Sequence, residues 1–79
     1  MDITFESVRD VIVDTLSCEQ ETLTLDTNLF DDLKIDSLEA VELSLAMEET
    51  FGVGIADEDM QNVRTVRDIL AYLIDRKQS

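Results

Sequence analysis

Asp36-Ser37-Leu38-Glu39-Ala40-Val41-Glu42-Leu43-Ser44-Leu45-Ala46-Met47-Glu48-Glu49-Thr50-Phe51-Gly52 is the stretch that decides how this chain is read. Asp36 is a favourable helix N-cap, and Glu39 stands three residues on, where a capping-box acid belongs. Gly52 supplies the left-handed residue that ends many helices. The stretch therefore predicts a helix from Ser37 to Phe51. At 100° per residue from Leu38, the residues Ala40, Leu43, Ala46, Met47 and Phe51 fall between about 80° and 220°, an ordinary core-facing stripe. Leu38, Val41 and Leu45 fall elsewhere, between about 300° and 360°. Glu49 and Glu42 flank this second stripe at about 20° and 40°, Glu48 lies at about 280°, and Ser37 at about 260°. Such a stripe either covers more core or offers a docking face, with apolar anchors inside a ring of carboxylates.

Upstream, Phe5, Val8, Ile12 and Leu16 recur at helical spacing with Val11 beside them, which predicts a first helix over about residues 4–16. Residues 17–35 lack sustained periodicity and are long for a loop in a compact domain unless anchored. Leu23, Leu25, Leu29, Phe30, Leu33 and Ile35 are available as anchors, and Thr27-Asn28 is suited to cap one turn. Downstream, Val53 and Ile55 alternate with Gly54 and Ala56 too briefly for a sheet. Asp57 is expected to cap a short third helix over about residues 58–62, and Thr65 a fourth with the stripe Val66, Ile69, Leu70, Leu73 and Ile74. Arg76 and Lys77 fall at its end, where cations suit the helix dipole. The expectation is an all-α four-helix bundle with a long structured first loop and a short third helix, a single domain over residues 1–79.

Charge narrows the partners. Nineteen acidic residues against six basic ones leave the 79-residue chain at −13, with no acidic tail. That field disfavours nucleic acid and anionic membrane surfaces and favours proteins with basic patches. Self-repulsion also means that salt or divalent cations should stabilise the fold. The hydrophobic fraction of 44% is that of a globular chain. With no His, neither a Ser-His pair nor a His-containing zinc site can be assembled, and the lone Cys18 allows no internal disulfide. No stretch approaches the length of a membrane span, and no signal peptide is read before Met1-Asp2-Ile3, so a cytoplasmic monomer is expected.

By itself Asp36-Ser37-Leu38 says little, because most serines at helix starts are caps or solvated. Here the serine follows a structured loop and opens a helix with an acid-ringed apolar patch, in a chain with no catalytic apparatus of its own. Phe30-Asp31-Asp32-Leu33, Asp36-Ser37-Leu38-Glu39-Ala40-Val41-Glu42-Leu43 and Glu48-Glu49-Thr50-Phe51 resemble the acyl carrier protein family. The likeness continues through Ile55-Ala56-Asp57-Glu58-Asp59 and Thr65-Val66-Arg67-Asp68, in order along nearly the whole chain.

The resemblance implies a non-enzymatic phosphoprotein. Ser37 would accept 4′-phosphopantetheine from coenzyme A through a separate phosphopantetheinyl transferase, and the arm's thiol would carry acyl groups as thioesters. Asp36, Glu39, Glu42, Glu48 and Glu49 match acids that face partner enzymes, and Leu45 matches an apolar position among them; Leu38 and Val41 are expected on the same partner face from the stripe read at helical spacing. Those partners would be acyl-transferring and chain-elongating enzymes with basic docking surfaces. An acyl chain is expected between the second and third helices, against Leu43, Met47, Ile55, Met60 and Val63. Lipid metabolism through fatty acid or polyketide-type biosynthesis is the implied role, with aminoacyl transfer in a peptide or cell-wall modification pathway as the alternative.

Two departures stand out. Lys34-Ile35 replaces the glycine common two residues before the Asp, and Ala56 replaces the proline common before the third helix, which should loosen that turn. The rival readings are an acidic inhibitor of a basic surface and a calcium loop through Asp57, Asp59, Gln61 and Asp68. That loop lacks both the required glycine and the terminal Glu, so no metal site is expected. Cys18, surrounded by acids, is read as structural rather than nucleophilic.

Overall fold

Thr4 and Asp36 each start a helix by the same reciprocal exchange. Thr4 Oγ1 accepts from the Ser7 N–H at 3.2 Å while Ser7 Oγ accepts from the Thr4 N–H at 2.9 Å. Asp36 Oδ1 accepts from the Glu39 N–H at 2.8 Å while Glu39 Oε1 accepts from the Asp36 N–H at 3.3 Å. Each exchange satisfies donors that a helix start otherwise leaves unpaired. They open α1 (Phe5–Leu16) and α2 (Ser37–Phe51) in the computed structural model, which describes residues 2–78 without the side chains of Asp57 and Gln78.

The short helix α3 (Asp57–Met60) begins one residue earlier than expected and ends two residues sooner. Its flanking residue is Ala56, which offers no side-chain cap, and the Asp57 side chain proposed for that role lies outside the described residues. At the start of α4 (Val66–Gln78), Thr65 Oγ1 accepts from the Asp68 N–H at 3.2 Å, and Asp68 Oδ2 accepts from the Thr65 N–H at 3.3 Å. Four α-helices, a single 3-10 turn at Gln20–Thr22 and no strand among the described residues make the all-α fold expected from the sequence.

α1 packs against α2 and α4. Val8 and Ile12 of α1, Leu43 and Met47 of α2, and Val66, Ile69 and Leu73 of α4 are completely buried in one core. Each stripe read at helical spacing supplies its central residues to that core, and burial of each large aliphatic side chain contributes about 1.5–3 kcal/mol. Leu70 and Ile74, on the flank of the α4 stripe, are only half-buried.

The 17–35 segment is held at both ends and in the middle. Leu23, Leu29 and Ile35 are buried, whereas Leu25, Phe30 and Leu33 are half-buried. Asn28, rather than Thr27, caps its turn: Asn28 Oδ1 accepts from the Phe30 and Asp31 N–H groups, each at 2.9 Å. Backbone bonds then tie the loop to the start of α4. The Leu29 N–H donates to Arg64 O at 2.7 Å, the Val66 N–H to Thr27 O at 3.1 Å, and the Arg67 N–H to Leu25 O at 2.9 Å. A long connection is stable here because its polar backbone finds partners rather than being buried bare.

Two side-chain clusters hold the far half together. Ser44 Oγ of α2 donates to Ile55 O at 2.9 Å and accepts from the Ile55 N–H at 3.0 Å. Gly54 makes that approach possible, since a Cβ there would meet Ser44 O and Glu48 Cβ at 3.3 Å. The Ala56 turn is also pinned. Its N–H donates to Tyr72 Oη at 3.3 Å, Tyr72 Oη donates to Asp59 Oδ2 at 2.8 Å, and Arg76 Nη2 donates to the same oxygen at 3.1 Å. The electrostatic pull of Tyr72, and after it the hydrogen bond to Asp59, hold the Arg76 guanidinium further toward its charged form. Lys77 also serves another helix than its own: its ammonium donates to Phe51 O at 2.8 Å, at the carbonyl end of α2. The dipole that the C-terminal cation meets is therefore that of α2 as well as α4.

Lys34 has φ 54°, in the left-handed region that a side chain makes costly. Lys34→Gly should stabilise the fold by about 0.5–1 kcal/mol, the backbone relief being partly offset by the greater freedom of unfolded glycine. Urea melts of the two chains measure it, and an unchanged or lower midpoint would show that the position carries no strain.

Candidate functional site

α2 meets solvent at its first residue. Asp36 occupies the cap, so Ser37 is exposed at the first helical position, and its hydroxyl has no hydrogen-bond partner among the described residues. Nothing in the fold depends on that hydroxyl. It is free to be esterified.

From Ser37 the exposed side of α2 runs along the second stripe. Leu38, Val41 and Leu45 are 67%, 45% and 54% exposed, which rules out the alternative that they extend the core. Glu42, Glu48 and Glu49 are exposed around them, as is Asp36 at the helix start. Glu39 is set apart. Its side chain is half-buried and engaged in the capping box, on the flank of α2 that turns toward the core.

Beside Ser37 lies an open groove of ≈ 260 Å³, lined by Phe30, Ser37, Ala40, Val41, Met60 and Gln61. Phe30 comes from the long loop, Ala40 and Val41 from α2, and Met60 and Gln61 from the end of α3. Leu43, Met47, Ile55, Met60 and Val63, the residues expected to line an acyl site, are all buried in the core. Met60 alone is shared between them and the groove. Periodicity could not reach Phe30, which stands in an irregular segment. Its usable signal was Asn28 followed four residues later by Asp32, whose carboxylate accepts from the Asn28 N–H at 2.8 Å and fixes the turn that presents Phe30.

The donor set suits a phosphodiester followed by an extended, largely apolar arm. The hydroxyl is unencumbered, an ester oxygen on it sits where helix N–H groups favour negative charge by about 0.3–1 kcal/mol, and an apolar groove opens beside it. No group of three or more carboxylate or cysteine side chains among the described residues is placed to hold a metal ion. Asp59, one of the candidate calcium ligands, is instead bonded to Tyr72 and Arg76.

Comparison with known proteins agrees with this geometry. Residues 6–73 match the family described as "Phosphopantetheine attachment site". An acyl carrier protein from Syntrophobacter fumaroxidans is 44% identical over 79 residues, covering 98% of each chain. Another, from Petrotoga mobilis, is 44% identical over 72 residues, covering 91% of this chain and 85% of its own. A solved structure from Mycobacterium tuberculosis, described as "a putative acyl carrier protein", superposes with a TM-score of 0.79 at 30% identity, covering 89% of this chain and 93% of that one. The chain belongs to the acyl carrier protein family. It is a carrier rather than an enzyme, its cofactor is covalently attached 4′-phosphopantetheine, and its partners are a phosphopantetheinyl transferase and biosynthetic enzymes. No helix among the described residues is long and apolar enough to cross a membrane.

Proposed function

We propose that Ser37 is the attachment site and that the chain carries acyl intermediates for fatty acid or polyketide-type biosynthesis. The observation that carries this reading is the free Ser37 hydroxyl at the head of α2, opening on the Phe30–Met60 groove. The transferase activates that hydroxyl, so the absence of His from the chain is no obstacle. Asp36, Glu42, Glu48 and Glu49 orient basic partner surfaces and speed their approach, while Leu38, Val41 and Leu45 supply contact area. Exposed carboxylates of this kind raise the association rate more than they lengthen the complex, which suits a carrier that must visit several enzymes and leave each.

The acyl chain enters at the groove and reaches Leu43, Met47, Ile55 and Val63 by displacing Met60, the residue common to both sets. Methionine is suited to this because its unbranched side chain adapts at little cost. Each methylene buried contributes up to about 0.8 kcal/mol, so a medium-length chain is held by a few kcal/mol and released on docking. The acylated chain should melt at a higher temperature than the unacylated one, and equal midpoints would remove the acyl site.

Incubation with coenzyme A and a broad-specificity phosphopantetheinyl transferase, followed by intact-protein and peptide mass spectrometry, tests the attachment. The expected result is one phosphopantetheine on the peptide containing Ser37. No mass gain on an unmodified chain would end this reading.

A further inference from the structure

The chain has six side-chain cations, and five of them are occupied. Arg9, Arg67 and Arg76 pair with Asp10, Asp26 and Asp59 at 3.4, 3.0 and 3.1 Å. Lys77 donates to Phe51 O at 2.8 Å, and Arg64 lies over the Phe30 ring at 5.8 Å. Lys34 is the exception: among the described residues it has no ion pair, hydrogen bond or ring contact, although the chain carries −13. An isolated cation in so acidic a chain already stands out. Its backbone makes it more so, because φ 54° at a non-glycine residue is a cost that persists only where something compensates for it.

The buried Ile35 beside it holds that turn, and the position gives the free cation a use. Lys34 is exposed three residues before Ser37, and the intervening Ile35 is buried with its N–H on Leu29 O at 3.2 Å. That anchor fixes the corner on which both residues stand. Three residues span at most about 10 Å, and the four-carbon stem of lysine reaches across much of that distance. A phosphodiester on Ser37 adds a negative charge next to Asp36, in a chain already strained by like charge.

We propose that Lys34 is the counter-ion of the phosphodiester on Ser37, a binding residue for the arm that stays unpaired until the arm is attached. This rests on Ser37 being the attachment site. The ammonium offsets the added charge and biases the first segment of the arm toward the loop side of α2. An exposed pair of this kind is modest, and its effect falls as salt rises.

The chain has only two lysines, so each can be followed separately. The full chain, with and without phosphopantetheine and with the arm thiol blocked by alkylation, is labelled by reductive methylation, and the rate at each lysine is read by peptide mass spectrometry. Attachment should slow Lys34 by about 1.4- to 5-fold, the range an exposed ion pair contributes, and leave Lys77 unchanged. Lys77 is a suitable internal control because it sits at the opposite end of α2, about 20 Å away along the helix. In parallel, the ³¹P resonance of the modified chain should move in Lys34→Gln, stay in place in Lys34→Arg, and lose the difference at high salt. Gln keeps the backbone strain and most of the side-chain length, so a merely structural role would move neither readout. A chain that takes no arm overturns both the attachment and the counter-ion. A chain that takes the arm but labels Lys34 at its original rate, or shows one ³¹P position for wild type and Lys34→Gln, overturns the counter-ion alone.

Discussion

Ser37→Ala should melt within about 4 °C of the wild-type chain yet accept no phosphopantetheine, and with it lose all carrier activity. The fold is indifferent to this hydroxyl because the α2 cap is made by Asp36 and Glu39, and Ser37 Oγ bonds to nothing among the described residues. Substitutions at such surface positions stay within about 0.5 kcal/mol, a few degrees in a domain this small. Asp36→Ala gives the converse. It removes an acceptor held at 2.8 Å and costs about 1 kcal/mol of stability, but leaves the hydroxyl in place. Circular dichroism melts and intact mass together separate the two roles. A large loss of stability in Ser37→Ala, or residual loading of it, would show that the serine is structural or that another hydroxyl takes the arm.

Leu43→Ala should bring the chain close to unfolding, while Leu45→Ala, two residues along the same helix, should leave its stability nearly untouched. Leu43 is completely buried, and truncation of such a side chain costs about 2–5 kcal/mol through lost transfer energy and the cavity left behind. A chain of 79 residues has about 4–12 kcal/mol in all, so the loss is a large fraction of its margin. Leu45 is 54% exposed, and its truncation should stay within about 0.5 kcal/mol. Its cost should appear in the KM of the partner enzymes, since it removes contact area from the acid-ringed face. Urea unfolding of both variants measures the contrast. Equal destabilisation would mean that the two stripes of α2 do not face core and solvent as described.

Much of this was legible in the sequence because helices are local objects. Asp36, Glu39 and Gly52 bounded α2 without reference to any other element, and the angular separation of Leu43 from Leu45 told the buried stripe from the exposed one. The cap of α3 was less legible. Asp57 is a strong capping type, yet the backbone enters the helix at that residue, with Ala56 as its flank. Residues near the chain end also escape a local reading: Lys77 reaches Phe51 on α2, and Arg76 reaches Asp59 on α3. No periodicity reports contacts separated by 17 or 26 residues.

Ser37 shows the same division. Sequence alone determined that it follows a capping aspartate, opens an acidic helix and stands beside an apolar stripe, because each of these properties is set within four or five residues by helical geometry. Only the tertiary structure decided what lies next to it. The groove needs Phe30 from the loop and Met60 and Gln61 from the end of α3, brought together by the loop's backbone bonds to α4 and by Ser44 on Ile55. The left-handed turn at Lys34 depends in the same way on Ile35 being drawn into the core, one residue before the Asp36 cap and two before Ser37 opens the helix. Those arrangements follow from packing between distant segments, whose energies no local pattern of residue types encodes.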